Sequence, residues 1–245
     1  MPETIEAQSA ATVPSTGLAA RLVGVLISPR ATYAQVVTQP RWLGAMTVVL
    51  LVSVGATITF LSTDIGRQAL LDQQVRSLES FGQNVSDAQY QRLGQKTSSS
   101  ASVVAAAELA GLPVAALVVT AIARVAGSRV RDSHVTFSQL FAIVTHSGVI
   151  LALQHLIVRP LDYAYESLSS PTNVAALLPF VDDATFFARL LGAIDPFMIW
   201  WTVSLAIGLS VVYRRRTVPI AAMLFATYFA FAVTLALLKT VLSGA

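Results

Sequence analysis

The chain has no cysteine, only two lysines and three histidines, and just 12% charged residues. Without cysteine there are no disulfides, no thiolate metal sites and no cysteine nucleophile. So little charge excludes an ordinary soluble domain, in which about a quarter of residues are charged. Also missing are a glycine-rich phosphate loop, an HExxH helix and a nucleophile elbow, so neither a cofactor nor a catalytic constellation is expected. No basic stretch is interleaved with aromatics, so no nucleic-acid partner is expected either. Nor does the start read as a cleaved signal peptide: Glu3 and Glu6 come first, and the first long apolar run begins only near Leu43.

What the sequence does have is hydrophobicity, 55% of its residues, with a mean hydropathy of +0.67. The clearest signal lies between Pro196 and Leu242, where the runs PFMIWWTVSLAIGLSVVY and VPIAAMLFATYFAFAVTLALL are joined by Arg214-Arg215-Arg216-Thr217. Each run is long enough, at roughly 1.5 Å per residue, to cross a hydrocarbon core of roughly 30 Å. Lipid offers the backbone no hydrogen-bond partner, so each must be helical. Three arginines in so short a connection resist translocation, which places that turn on the cytoplasmic side.

Read in order, residues 1–16 are a small, polar, disordered tail. Residues 17–42 form two short amphipathic helices along the cytoplasmic interface, with Arg21, Arg30 and Arg41 toward headgroups and Ser28-Pro29 starting the second. A membrane domain over 43–245 follows, with spans near 43–61, 102–125, 136–158, 196–213 and 218–242. Its outer loop, 62–101, carries an amphipathic helix from Gly66 to Phe81, whose Leu70, Leu71, Val75, Leu78 and Phe81 share one face. Ser86-Asp87 caps a second short helix through Leu93, and Lys96-Thr-Ser-Ser-Ser is a flexible lead-in. Thr136-Phe-Ser-Gln139 is a capping box opening the third span, and Pro160 ends it. Asp182 and Asp183 cap the run ATFFARLLGAI. Five spans put the N-terminus in the cytoplasm and the C-terminus on the opposite side of a cell membrane. Lysine and arginine divide nine to seven between the two sides, so the triple-arginine turn decides the orientation.

Ionisable or polar residues inside spans are costly and therefore candidates for function. Glu108 in the second span and Lys239 in the last lie at similar depth and could pair, or could serve packing and snorkelling. His146 and His155 are nine positions apart, hence on opposite faces of one helix, and cannot form one metal site. His146 shares a face with Gln139, a polar stripe suited to hydrogen-bonded packing or to a proton relay, and Gln154 adds another polar group to the same span. Asp195 before Pro196 reads as a helix cap, or as an interfacial cation or partner contact. Small residues four apart, Ala107 with Gly111 and Ser204 with Gly208, permit close helix approach and an associating bundle.

Three stretches, RLVGVLISPRATYAQVV, VTFSQLFAIVTHSG and IDPFMIWWTVSLAIGLSVVY, resemble the Yip1-domain family of five-span membrane proteins. The likeness runs from about Leu18 to Leu242, with Ser147-Gly148 standing where a proline is expected. An arginine-over-lysine and alanine-rich composition suggests a bacterial-type member. The resemblance implies a non-enzymatic integral membrane protein. Eukaryotic relatives act in vesicle trafficking and bind small GTPases, which is not carried over to a bacterial chain. The expectation is an all-α polytopic bundle in contact with lipid, organising or scaffolding membrane proteins or copies of itself. The alternative is a solute or ion pathway built on Glu108, His146, Gln154 and Lys239.

Overall fold

Each uninterrupted apolar run closes its backbone hydrogen bonds within a helix. In a computed structural model, residues 17–127, 134–168, 172–177 and 185–243 are described, and among them there is no strand. The elements are α1 (Leu18–Ile27), α2 (Pro29–Thr38), α3 (Trp42–Leu61), α4 (Asp64–Ser80), α5 (Asp87–Gly127), α6 (Phe137–Ser147), α7 (Val149–Ala164), α8 (Phe186–Gly192), α9 (Pro196–Val212) and α10 (Thr217–Ser243). Four helical stretches are long and apolar enough to cross a membrane: α3, residues 101–127 of α5, α6 with α7, and α10. The pair α8 and α9, bent by 53°, passes the same test only together. The protein is thus an all-helical polytopic membrane bundle.

The bundle has two ends. The α9–α10 turn, α1, α2, the last turn of α5 and the start of α6 lie at one, called here the arginine end. The α3–α4 turn, α8 and the C-terminal ends of α7 and α10 lie at the other. The core joins Val25 of α1, Tyr33 of α2, Leu140, Ile143 and Val144 of α6, and Leu205 and Leu209 of α9. By contrast α5 and α10 lie outside: only 11% of each apolar window is buried, and Val103, Leu117, Ile122, Phe229 and Val241 face outward. On a soluble protein such faces would be an aggregation hazard; on a membrane protein they meet acyl chains.

Local chemistry accounts for the boundaries. Thr136 and Gln139 form the expected capping box, and Gln139 Nε2 also donates to the Val37 carbonyl at 3.0 Å, tying α6 to α2. Asp195 caps α9, its Oδ1 accepting from Phe197 N at 2.8 Å and Met198 N at 3.4 Å. The α6–α7 step falls at Gly148, whose backbone stays helical (φ −58, ψ −18), so the two segments run on as one path.

Several boundaries differ from those read in the sequence. Residues 87–127 form one helix of 41 residues, about 62 Å long, without a break at Leu93. Its outer half packs on α4, and tertiary packing overrides the weak helix propensity of the serine run. Pro160 lies inside α7, which continues to Ala164; one proline forfeits one i→i−4 bond, which a packed membrane helix tolerates. The cap of α8 is Thr185, whose side chain accepts from Ala188 N at 3.2 Å; Asp182 and Asp183 lie outside the described residues, as does the 1–16 tail. Finally, α1 and α2 do not simply lie on an interface. Tyr33 and Val36 are fully buried, α2 packs on α6 and α9, and Arg21 is 5% exposed and donates to Gln39 rather than to headgroups.

Candidate functional site

Positions 155, 159 and 162 of α7 are spaced four and three apart, which puts His155, Arg159 and Asp162 on one helical face. That face meets Thr57 and Phe60 of α3 and Glu108 of α5, with Gln154 beside it. Arg159 Nη1 donates to Asp162 Oδ2 at 2.9 Å, and the guanidinium lies 5.8 Å from the Phe60 ring centre. Asp162 is 1% exposed, so this is an ion pair held at the end of a membrane helix. One turn deeper, His155 Nδ1 lies 3.2 Å from Glu108 Oε1, at ion-pair distance but off the line of a hydrogen bond.

The cluster is not fully satisfied. Thr57 Oγ1, Glu108 Oε1, Arg159 Nε and Asp162 Oδ1 are buried without hydrogen-bond partners. Thr57, Arg159 and Asp162, though not Glu108, border a cavity of about 250 Å³ opening at the end away from the arginine turn and lined also by Gln154 and His155 with Leu61, Leu70 and Val158. Two acids, Glu108 and Asp162, thus share one arginine and one imidazole. Among the described residues no three histidine or acidic side chains converge closely enough to hold a metal ion.

Of the residues singled out in the sequence, Glu108 and Gln154 meet here. His146 does not: it is fully buried in α6, with Nδ1 2.7 Å from the Ala142 carbonyl and Nε2 unpartnered. Lys239 does not pair with Glu108; its ammonium lies 5.5 Å from the Phe81 ring centre, just past α4. His155, taken from the sequence only as the residue opposite His146, is the partner Glu108 finds. Arg159 and Asp162 were missed. Their signal was present, a polar stripe at i, i+4 and i+7, but reading Pro160 as the end of the span hid it.

A second polar set lies nearer the arginine end. The Tyr33 hydroxyl and Ser204 Oγ share a hydrogen bond of 2.8 Å, and Trp201 Nε1 donates to Ser147 Oγ at 3.1 Å. Burial pushes the Tyr33 phenol far above its ordinary value, the Ser204 hydrogen bond offsetting only part of this, so it remains a neutral hydroxyl. These bonds fasten α2 and α6 to α9.

Asp195 serves as a cap and accepts from Thr172 Oγ1 at 2.7 Å through its second oxygen. Asp195→Ala should therefore cost about 1–2 kcal/mol, and Asp195→Asn clearly less, in reversible unfolding of the micellar protein. Equal losses for both would show that the charge, not the cap, matters.

No curated protein sequence and no solved structure matches the chain. One family profile does, that of the Yip1 domain, over residues 23–238. The match includes the α2 wedge, the capping box and the Asp195-Pro196 start of α9, and the chain belongs to the Yip1-domain family.

Proposed function

We propose that this chain is a non-enzymatic, non-conducting organiser of membrane proteins, with five spans, a cytoplasmic N-terminus and the C-terminus opposite. The observation that carries this reading is the packing between the polar cluster and the arginine turn. Tyr33, Leu140, Ile143, His146 and Ile150 are fully buried there, filling the middle of the bundle with side chains. The polar cavity thus opens toward one face and meets a packed core below. The polar cluster then serves as a clamp joining α3, α5 and α7. Ala107 and Gly111 lie exposed on α5, and a β-carbon at Gly111 would meet nothing within 4 Å. Such a surface suits close approach by a second copy or another membrane helix.

The second reading, a pathway for a proton or small solute, is favoured by the unpartnered Asp162 Oδ1 beside that cavity and by the Glu108 carboxylate at ion-pair distance from His155, which lines it. The two separate in liposomes holding the purified protein, assayed for proton and solute flux beside Glu108→Gln. No flux above protein-free liposomes is expected for either. Flux in the wild type that Glu108→Gln abolishes would replace the organiser reading with transport through the cluster.

A further inference from the structure

A larger groove lies on the opposite flank, between α5, α9 and α10. It measures about 930 Å³, and its walls include Ile122, Leu205, Leu209, Ile220, Leu224 and Phe231. Its polar groups are already used. Thr202 Oγ1 donates to the Met198 carbonyl at 2.7 Å and Thr227 Oγ1 to the Met223 carbonyl at 2.9 Å. The Tyr213 hydroxyl donates to the Ala123 carbonyl at 2.8 Å, and the Tyr228 hydroxyl to that of Ala193. With those hydroxyl protons spent, the walls offer an occupant mainly dispersion contacts.

One end is different. Arg214, Arg215 and Arg216 line the same groove and are all exposed. The backbone holds them in a tight turn: Arg214 N donates to Val211 O at 3.3 Å, Arg215 N to Ser210 O at 3.0 Å, and Arg214 has φ 53. No described acid is at hand to neutralise them. Residues 17–63, 109–127, 134–161 and 196–243 contain neither aspartate nor glutamate. The described acids sit in α4, at the start of α5, at Glu108, or at the far ends of α7 and α9. An apolar slot with a cationic end that no described acid neutralises complements an amphiphile with an anionic head.

We propose that this groove holds one anionic phospholipid from the leaflet facing the arginine turn, its phosphate on Arg214–Arg216 and its acyl chains against α5, α9 and α10. Basic pockets between membrane helices recognise acidic headgroups by this combination of charge and depth. The planar guanidinium, with several donors, suits phosphate better than an ammonium would. The assignment does not depend on whether the polar cluster on the other flank conducts.

The test uses the full-length protein in detergent, titrated with phosphatidylglycerol or phosphatidylcholine of identical chains and read by native mass spectrometry. A single phosphatidylglycerol adduct is expected, favoured over phosphatidylcholine by more than about tenfold, with about fivefold lost per arginine changed to glutamine. Arg214→Gly should lose the same factor while leaving the turn intact, because glycine is at ease at positive φ. Thr227→Trp, which fills the slot, should weaken both lipids alike. Equal retention of the two lipids, or an unchanged preference in the triple glutamine variant, would overturn the assignment. So would a dimer whose second copy occupies the groove and excludes lipid.

Discussion

Asp162→Ala should destabilise the bundle by about 3–5 kcal/mol, because it strands Arg159 at the end of a membrane helix without its direct ion-pair partner. The carboxylate is 1% exposed and bonded at 2.9 Å, so water cannot easily replace it. Asp162→Asn should cost less, since an amide oxygen still accepts from Nη1. The double change Asp162→Leu with Arg159→Leu should recover most of the loss, since an apolar pair of similar bulk has no charge to desolvate. Unfolding in mixed micelles, followed by circular dichroism, measures all four proteins. A double variant as unstable as Asp162→Ala would mean that these side chains hold the fold through shape and not through their mutual charge.

Gly208→Val should cost about 2–3 kcal/mol in the same assay. A β-carbon at Gly208 would collide with Ile143 Cγ2, and the Tyr33 ring carbons stand only 3.4 Å away. Neither neighbour can yield, since both are fully buried among α2, α6 and α9. Gly111→Val is the matched control. It changes the other small-residue pair in the same way, at a site open on every side, and should stay within about 0.5 kcal/mol of wild type. If both variants lost stability equally, backbone entropy rather than helix contact would be responsible.

These two small-residue motifs show what could be read before the fold was known. Ser204 and Gly208 have the same spacing as Ala107 and Gly111, yet the first pair is packed against α2 and α6 and the second faces outward. Spacing identifies a face on which helices can approach closely and does not say whether a neighbour occupies it. Strictly local signals transferred well: the Thr136–Gln139 capping box and the Asp195-Pro196 start depend on three or four consecutive residues, and both form. Signals that depend on distant partners did not. The link between His155 and Glu108 joins helices 47 positions apart, and nothing in either neighbourhood selects it over Lys239. The continuity of α5 was hidden for the same reason, because its outer half is supported by α4 and not by its own side chains. The core role of α2 was masked by its modest amphipathic character, which reads like that of a helix floating on a membrane surface.

That role of α2 also bears on the order in which the protein can be made. The hydrogen bond between Tyr33 and Ser204 spans 171 positions, and Tyr33 also abuts Gly208. Chains are synthesised from the N-terminus, so α2 leaves the ribosome long before the helix that will cover it. Until α9 has been made, Tyr33 and Val36 lack much of the pocket that buries them. Closing so wide a loop carries an entropic cost that only the completed contact repays. The wedge is therefore translated well before the helix that completes its pocket, and a ribosome stalled before Pro196 would leave Tyr33 with its α6 neighbours and without the Ser204 and Gly208 side of that pocket.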